Sequence, residues 1–223
     1  TTFRYEKIKV AGKPDFIDTV AYTIFGPVMY DKSFSGKRAG NGKNYAVRWT
    51  AHDPSNELML FNVLNRARNY DDYNKAVLNL QTPGQNVVFA CKNGDIAIRT
   101  QGDFPAKWKG QGDFIMPGTD STFMWQGMIP MDETPFQYNP ERGFVSSANQ
   151  HPADSTYPYY LGRDYPAPRG FIINRMLASM QQVTPQDMMA MQTDNYNVFA
   201  EMARPILLKN IKEDILNDSD KKY

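Results

Sequence analysis

The sequence is short of the residues from which self-contained catalytic centres are most often built. Among 223 residues there is one cysteine, Cys91, and there are two histidines, His52 and His151. A lone cysteine excludes an internal disulfide and any multi-cysteine metal site, and it leaves the redox compartment unread. No G-x-S-x-G elbow, phosphate-cradling glycine loop or metal-ligand cluster is present. No apolar run approaches the roughly 20 residues of a membrane-spanning helix. The opening TTFRYEKIKV lacks the basic and apolar regions of a signal peptide, so any export signal is expected outside this chain. Charge of one sign is lacking too, since 25 Lys and Arg meet 24 Asp and Glu with neither gathered into a block. That balance gives no electrostatic footprint for nucleic acid or an anionic membrane, and neither is expected as a partner.

What is present is a globular composition. At 41% hydrophobic residues the chain can build one substantial core or two small ones. From Phe3 to Met29 the alternating segments FRYEKIKV and FIDTVAYTI flank AGKPD, whose Gly and Pro predict a turn between antiparallel strands. SFSGKRAGNGKN, residues 33–44, reads as a loop before the strand-like NYAVRWTAH. Leu58, Phe61, Leu64, then Tyr73, Val77 and Leu80, recur at helical spacing, which predicts two short helices or one bent helix over 57–80. Asn93-Gly94 between two apolar segments predicts a hairpin over 86–101 with a tight primed turn. Residues 102–168 are rich in Pro, Gly and aromatics without periodicity, a long irregular stretch of the kind that carries function.

Ile173, Met176, Leu177 and Met180 form a helical stripe. Thr184, Pro185 and Asp187 open a further helix as cap, first-turn proline and dipole-matched carboxylate. Pro205 interrupts the last helical stretch, and the tail should fray. The expected organisation is a β-rich subdomain over 1–35, a sheet with associated loops over 44–168, a helical subdomain over 169–217 and a tail over 218–223, an α+β chain.

Many short motifs follow one another in a fixed order. They are FGPV at 25–28, AVRWTAHDP at 46–54, FNVLNRARNYDDYNKAV at 61–77 and PGQNVVFACKNGDIAIRTQGDFP at 83–105. MPG at 116–118, WQGMIP at 125–130, NPERGFVSSANQHP at 139–152 and YPAPRGFII at 165–173 complete the series. This succession resembles the central part of the β chain of penicillin acylases, from about Phe3 to Ala200. The resemblance implies a precursor cut to expose an N-terminal serine, and a partial αββα N-terminal nucleophile hydrolase core. It also implies a periplasmic or extracellular location. The serine would lie well upstream of FGPV, outside this chain, so the chain alone is expected to be inactive. Its partners would be an acyl-amide small molecule and the remaining segments or α chain of the same precursor.

Asn149 in SSANQHP matches the family asparagine that helps form the oxyanion hole. A side-chain amide suits that role because it donates to a developing negative oxygen without itself titrating. The plainer alternative is that Asn-Gln-His-Pro is only a turn. Arg169 in YPAPRGFII matches the family arginine that lies near that asparagine, where its planar fork would keep Asn149 aimed. The competing reading is a solvated arginine at a helix start. His52 and His151 are assigned to structure, because the general base of such a mechanism is the serine's own α-amine. Gln85 and Asn86 are read as architectural, Trp49, Trp108 and Trp125 as packing, and Met188, Met189 and Met191 as a gap-filling helix face.

No cofactor is expected. Calcium, bound by some members of the family, wants six to eight oxygen ligands. Here Leu161 falls near the position of one such carboxylate, and Cys91 stands where an aspartate is common. Two functional classes remain: an amidohydrolase of penicillin-like or related N-acyl substrates, or a non-catalytic module whose aromatic middle binds a ligand or partner. A third reading makes Thr1 the nucleophile, acting through its own amine.

Overall fold

A computed structural model describes residues 1–30, 42–163, 165–212, 216–217 and 219. Most of the 33–44 loop and nearly all of the 218–223 tail lie outside the described residues. The chain begins with an antiparallel hairpin, β1 (Thr2–Ile8) and β2 (Phe16–Thr23), in register from Thr2 opposite Tyr22 to Ile8 opposite Phe16. β3 (Gly26–Tyr30) and β4 (Tyr45–Ala46) extend it to a sheet ordered β1-β2-β3-β4. The expected strands are there, although the NYAVRWTAH strand shrinks to two residues before a 3-10 turn at Thr50–His52. This first sheet is a thinly covered ribbon: Phe3, Tyr5, Phe16 and Ile17 are all exposed.

The core lies elsewhere. Helices α1 (Leu58–Leu64) and α2 (Tyr70–Val77) answer the helical spacing read over 57–80 as two short elements. Asn69 caps α2 by accepting the Asp72 amide, and Asp71 and Asp72 sit in its first turn, where the helix dipole favours carboxylates. These helices, with Leu80 just beyond α2, bury Leu60, Tyr73 and Val77 against β5 (Gln85–Ala90) and β6 (Ile96–Gln101). Each fully buried aliphatic side chain contributes about 1.5–3 kcal/mol. The Tyr73 hydroxyl is satisfied by donating to the Val87 carbonyl at 2.7 Å.

The β5–β6 hairpin falls where the Asn-Gly signal put it, but its turn differs. Gly94 alone takes a positive φ, of 97°, and Asn93 does not. The pairing of Ala90 with Ile96 leaves five residues between them, so the chain uses a wider turn. In it the Gly94 amide donates to Cys91 O, the Cys91 amide donates to Asp95 O, and the Asn93 side chain accepts the Asp95 amide. That geometry needs one left-handed residue, and glycine supplies it without a Cβ clash.

A third strand, β7 (Phe136–Tyr138), pairs antiparallel with β6. On one face of this sheet Val87, Phe89, Ala97 and Tyr138 meet α1 and α2, with Tyr138 stacked on Tyr70 at 3.8 Å. Arg99 is buried there as well, donating to Met131 O and Thr134 Oγ1, each at 2.9 Å. The opposite face carries Asn86, Val88, Ile98, Thr100 and Gln137. Val88 is 56% exposed, so this face leaves apolar sheet surface uncovered among the described residues.

The irregular stretch after β6 is ordered by local polar contacts. Fully buried Gln111 accepts the Trp108 amide and donates to Phe123 O and Met124 O. Trp108 packs beside Phe114 and Phe123, and Trp125 lies under the Arg48 guanidinium. Trp49, by contrast, is 57% exposed and meets the His52 ring edge-on.

Helices α3 (Ala167–Ser179), α4 (Pro185–Gln192) and α5 (Val198–Asn210) follow. The stripe Ile173, Met176, Leu177, Met180 is half-buried as its spacing predicts, and Arg175 ties α3 to Glu201 of α5 at 2.9 Å. Thr184 and Asp187 form a reciprocal capping box on α4. Of the α4 methionines read as a gap-filling face, Met188 and Met189 are exposed and Met191 is half-buried, so that face is only partly covered among the described residues. No helix of the described residues is long and apolar enough to cross a membrane.

Candidate functional site

Asn149 occupies a left-handed backbone conformation, φ 62°, which asparagine tolerates better than most residues. The segment around it is braced on three sides. The Gln150 side chain folds back so that its Oε1 accepts the Ala148 amide at 2.6 Å and its Nε2 donates to Ser146 O at 3.0 Å. From the open face of the sheet, Asn86 donates to Ser147 Oγ at 2.7 Å while its own Oδ1 accepts from Thr100 Oγ1. From behind, α3 presses close at Gly170, where a Cβ would stand 2.9 Å from that of Gln150. Only glycine permits this approach of helix to segment.

Arg169 lies in the first turn of α3, one residue before Gly170. A cation at the positive end of a helix dipole is disfavoured by roughly 0.3–1 kcal/mol at the surface, so its placement calls for a compensating partner. The partner is Asn149: Arg169 Nη2 donates to Asn149 Oδ1 at 2.6 Å. Both side chains are exposed, so the turn reading of Asn149 and the exposed helix-start reading of Arg169 each describe part of the local structure. Neither alone accounts for the contact between them.

That contact fixes the orientation of the Asn149 amide. With Oδ1 taken by the guanidinium, Nδ2 and its two hydrogens face the other way, and Nδ2 has no hydrogen-bond partner among the described residues. Asn149 borders a cleft of about 250 Å³ together with Asn86, Thr100, Gln150, Pro152, Tyr165 and Pro166. A second cleft of about 500 Å³ adjoins it, sharing Asn86, Thr100, Gln150 and Pro152 and adding, among others, Ile98, Phe136 and Arg142. Burial holds the Tyr165 phenol above the ordinary tyrosine range, so it stays neutral at the cleft wall at physiological pH. Beside it, His151 meets the Tyr165 ring edge-on, and its Nδ1 lies 2.7 Å from Ala153 O, a local structural contact.

Chemically the site is an outward-facing amide donor at the rim of an open, mixed-polarity groove. Its side-chain oxygen is held by a cation, which makes the amide N–H groups stronger donors. Among the described residues no group of three or more His, Cys, Asp or Glu side chains gathers where it could hold a metal ion. Nothing in the sequence marks Asn86 or Thr100 as a site residue. The bridging contacts of Asn86 fit an architectural role, yet it also lines both clefts with Thr100. Strand alternation was the available signal, since both side chains fall on the face of the hairpin opposite Val87 and Ala97.

The family model described as Penicillin amidase matches residues 1–222. The chain is 28% identical over 199 residues to acyl-homoserine lactone acylase QuiP of Pseudomonas fluorescens, covering 89% of this chain and 24% of that protein. It is 26% identical over 172 residues to penicillin G acylase of Escherichia coli, covering 74% of this chain and 18% of that protein. Among solved structures, thermostable penicillin G acylase from Alcaligenes faecalis superposes with a TM-score of 0.70 at 22% identity, covering 96% of this chain and 38% of that one. The likeness to that structure is one of fold. The chain thus spans about a quarter of the length, or less, of these two curated relatives.

Proposed function

This chain belongs to the penicillin amidase family, and from that premise we propose that it carries the oxyanion donor of an acyl-amide hydrolase. In this reading the intact protein transfers the acyl group of a penicillin-like or related N-acyl amide to an N-terminal serine held elsewhere in the precursor. The observation that carries the proposal is the 2.6 Å hydrogen bond from Arg169 to Asn149 Oδ1 at the edge of the cleft, which leaves the amide Nδ2 pointing outward.

As the serine oxygen adds to the amide carbonyl, negative charge develops on the carbonyl oxygen. The Nδ2–H of Asn149 donates to that oxygen more strongly than to the neutral carbonyl, and this difference lowers the barrier. The serine's own α-amine takes the hydroxyl proton, so neither His52 nor His151 is needed as a base. Arg169 is a positioning residue: it holds Oδ1 and leaves the chemistry to Nδ2. The exposed sheet face at Val88 is the surface that the rest of the precursor would cover. A periplasmic or extracellular location belongs to the same proposal. Thr1 precedes β1 in the sheet that does not line the clefts, and no observation favours it as nucleophile.

The test is Asn149→Ala in the full-length protein, assayed by release of the free amine from N-acyl substrates. Loss of one oxyanion donor should lower kcat by roughly 10²- to 10³-fold. Wild-type turnover in that variant would remove Asn149 from the mechanism. Turnover by the 223-residue chain alone, abolished by changing Thr1, would overturn the assignment of the nucleophile to another segment.

A further inference from the structure

A second set of hydrogen bonds joins the two segments that meet at Asn149 and Arg169, and Asn174 of α3 is at its centre. Asn174 Oδ1 accepts from Ser146 Oγ at 3.0 Å and from Arg142 Nη1 at 3.2 Å, while its Nδ2 donates to Gly170 O at 2.7 Å. Ser146 lies three residues before Asn149, and Gly170 directly follows Arg169. Arg142 is itself held, donating through Nε to Phe144 O at 2.9 Å and through Nη2 to Gln137 Oε1 of β7 at 3.0 Å. One short side chain therefore connects the sheet, the segment that presents Asn149 and the first turn of the helix that presents Arg169.

The partners also decide which way round the Asn174 amide sits. The Arg142 guanidinium can only donate and the Gly170 carbonyl can only accept, so the flipped amide would lose both of those bonds and keep at most the one to the Ser146 hydroxyl. Unlike Asn149 and Arg169, Asn174 is half-buried. A single hydrogen bond between two exposed side chains must offset their ordering entropy. A half-buried amide with three partners places the backbones first, so less is left for that exposed bond to order.

Resting on the oxyanion reading of Asn149, we infer that Asn174 is a positioning residue that sets the distance between the two segments and so keeps the Asn149 donor aimed. Because Asn174 also lines the larger cleft, its action through Asn149 has to be separated from contact with substrate and from a general effect on folding. A double-mutant cycle makes that separation, since residues acting through one another give non-additive effects.

The experiment compares Asn174→Leu, Asn174→Asp, Asn149→Gly and the Asn174→Leu/Asn149→Gly double variant in the full-length protein. Asn174→Leu should lower kcat by about tenfold or more through misplacement of the donor, with KM held within about twofold. Asn174→Asp keeps both acceptor contacts and should recover most of that loss. In the Asn149→Gly background, Asn174→Leu should lower kcat by less than about twofold. An equal loss in both backgrounds, a rise in KM with kcat unchanged, or no loss at all would each overturn the inference. Should Asn174→Leu fail to fold, Ser146→Ala takes its place in the cycle with a few-fold expected loss, judged by the same additivity criterion. Full activity of Asn149→Gly would remove the oxyanion reading and this inference together. Loss in Asn149→Gly beside normal Asn174→Leu would remove this inference alone.

Discussion

Replacing Asn149 by alanine and by glycine should separate the chemistry of the side chain from the conformation of its backbone. Asn149 sits at φ 62°, in the region where a Cβ approaches the carbonyl oxygen. For an ordinary L residue that conformation costs roughly 1–2 kcal/mol, and asparagine offsets part of it through local polar contacts. Alanine has no such compensation, whereas glycine adopts a positive φ freely but gives up some stability through its looser unfolded chain. The net expectation is that Asn149→Ala is less stable than Asn149→Gly by about 1 kcal/mol, a Tm difference of about 2–4 °C for a chain of this size. Both substitutions delete the same amide donor, so both should lose roughly 10²- to 10³-fold in kcat. Thermal unfolding gives the first quantity and steady-state turnover of the full-length protein the second. Equal stability of the two variants would refute the left-handed assignment at Asn149. A glycine variant that keeps kcat within about threefold of wild type would refute the donor role, whatever its stability.

Arg169→Lys should lower kcat by about tenfold, measured in the full-length protein, because an ammonium cannot reproduce the planar fork that holds Asn149 Oδ1; activity equal to wild type would make Arg169 a surface cation only. Gly170→Ala places a methyl group 2.9 Å from Gln150 Cβ, so α3 and the 146–150 segment must part, costing about 1–3 kcal/mol in urea unfolding. Activity should fall with that separation, and an unchanged midpoint would mean the two segments are not in close contact. Burial raises the Tyr73 phenol to about 12, above its ordinary value near 10, so the folded state keeps a proton that the unfolded state gives up between those values. The associated stability is complete below pH 10 and is lost as pH rises towards 12. Tyr73→Phe should cost about 1 kcal/mol at neutral pH, through loss of the bond to Val87 O, and should shallow the alkaline decline in denaturant midpoint; parallel declines in both proteins would refute the assignment.

Much of the secondary structure was legible because it is encoded locally. The spacing of Leu58 to Leu80, the Thr184-Pro185-Asp187 cap and the Asn-Gly between two apolar runs each depend on neighbours within a few residues, and each appears as an element. Where a local signal was ambiguous, long-range pairing decided it. The 91–95 turn is wider than Asn-Gly suggests because Ala90 pairs with Ile96, and β7 is too short at three residues to show any alternation. The site was legible differently. Asn149 and Arg169 stood out through the order of many motifs, and no periodicity could have predicted that they would meet. Asn86 and Asn174 went unmarked as site residues because each acquires its meaning from partners far along the chain, Ser147 from Asn86 and Arg142 from Asn174. A polar side chain carries no sequence mark of the partner that will satisfy it.

The β5–β6 hairpin sends alternate side chains to opposite errands, and this binds the assembly of the site to the register of two strands. Val87, Phe89, Ala97, Arg99 and Gln101 face the helices, while Asn86, Val88, Ile98 and Thr100 face the open side. Because side chains alternate with a period of two, a slip of one residue on either strand would exchange its two sets. Arg99 and Gln101 would then stand in the groove, and Asn86 or Thr100 would be pressed into the apolar cluster. Gly94, with no atom within 4 Å of where its Cβ would lie, closes the turn in its left-handed conformation and counts out the five residues that forbid the slip. A glycine whose absent side chain would meet nothing thus governs which face of the sheet becomes a working surface.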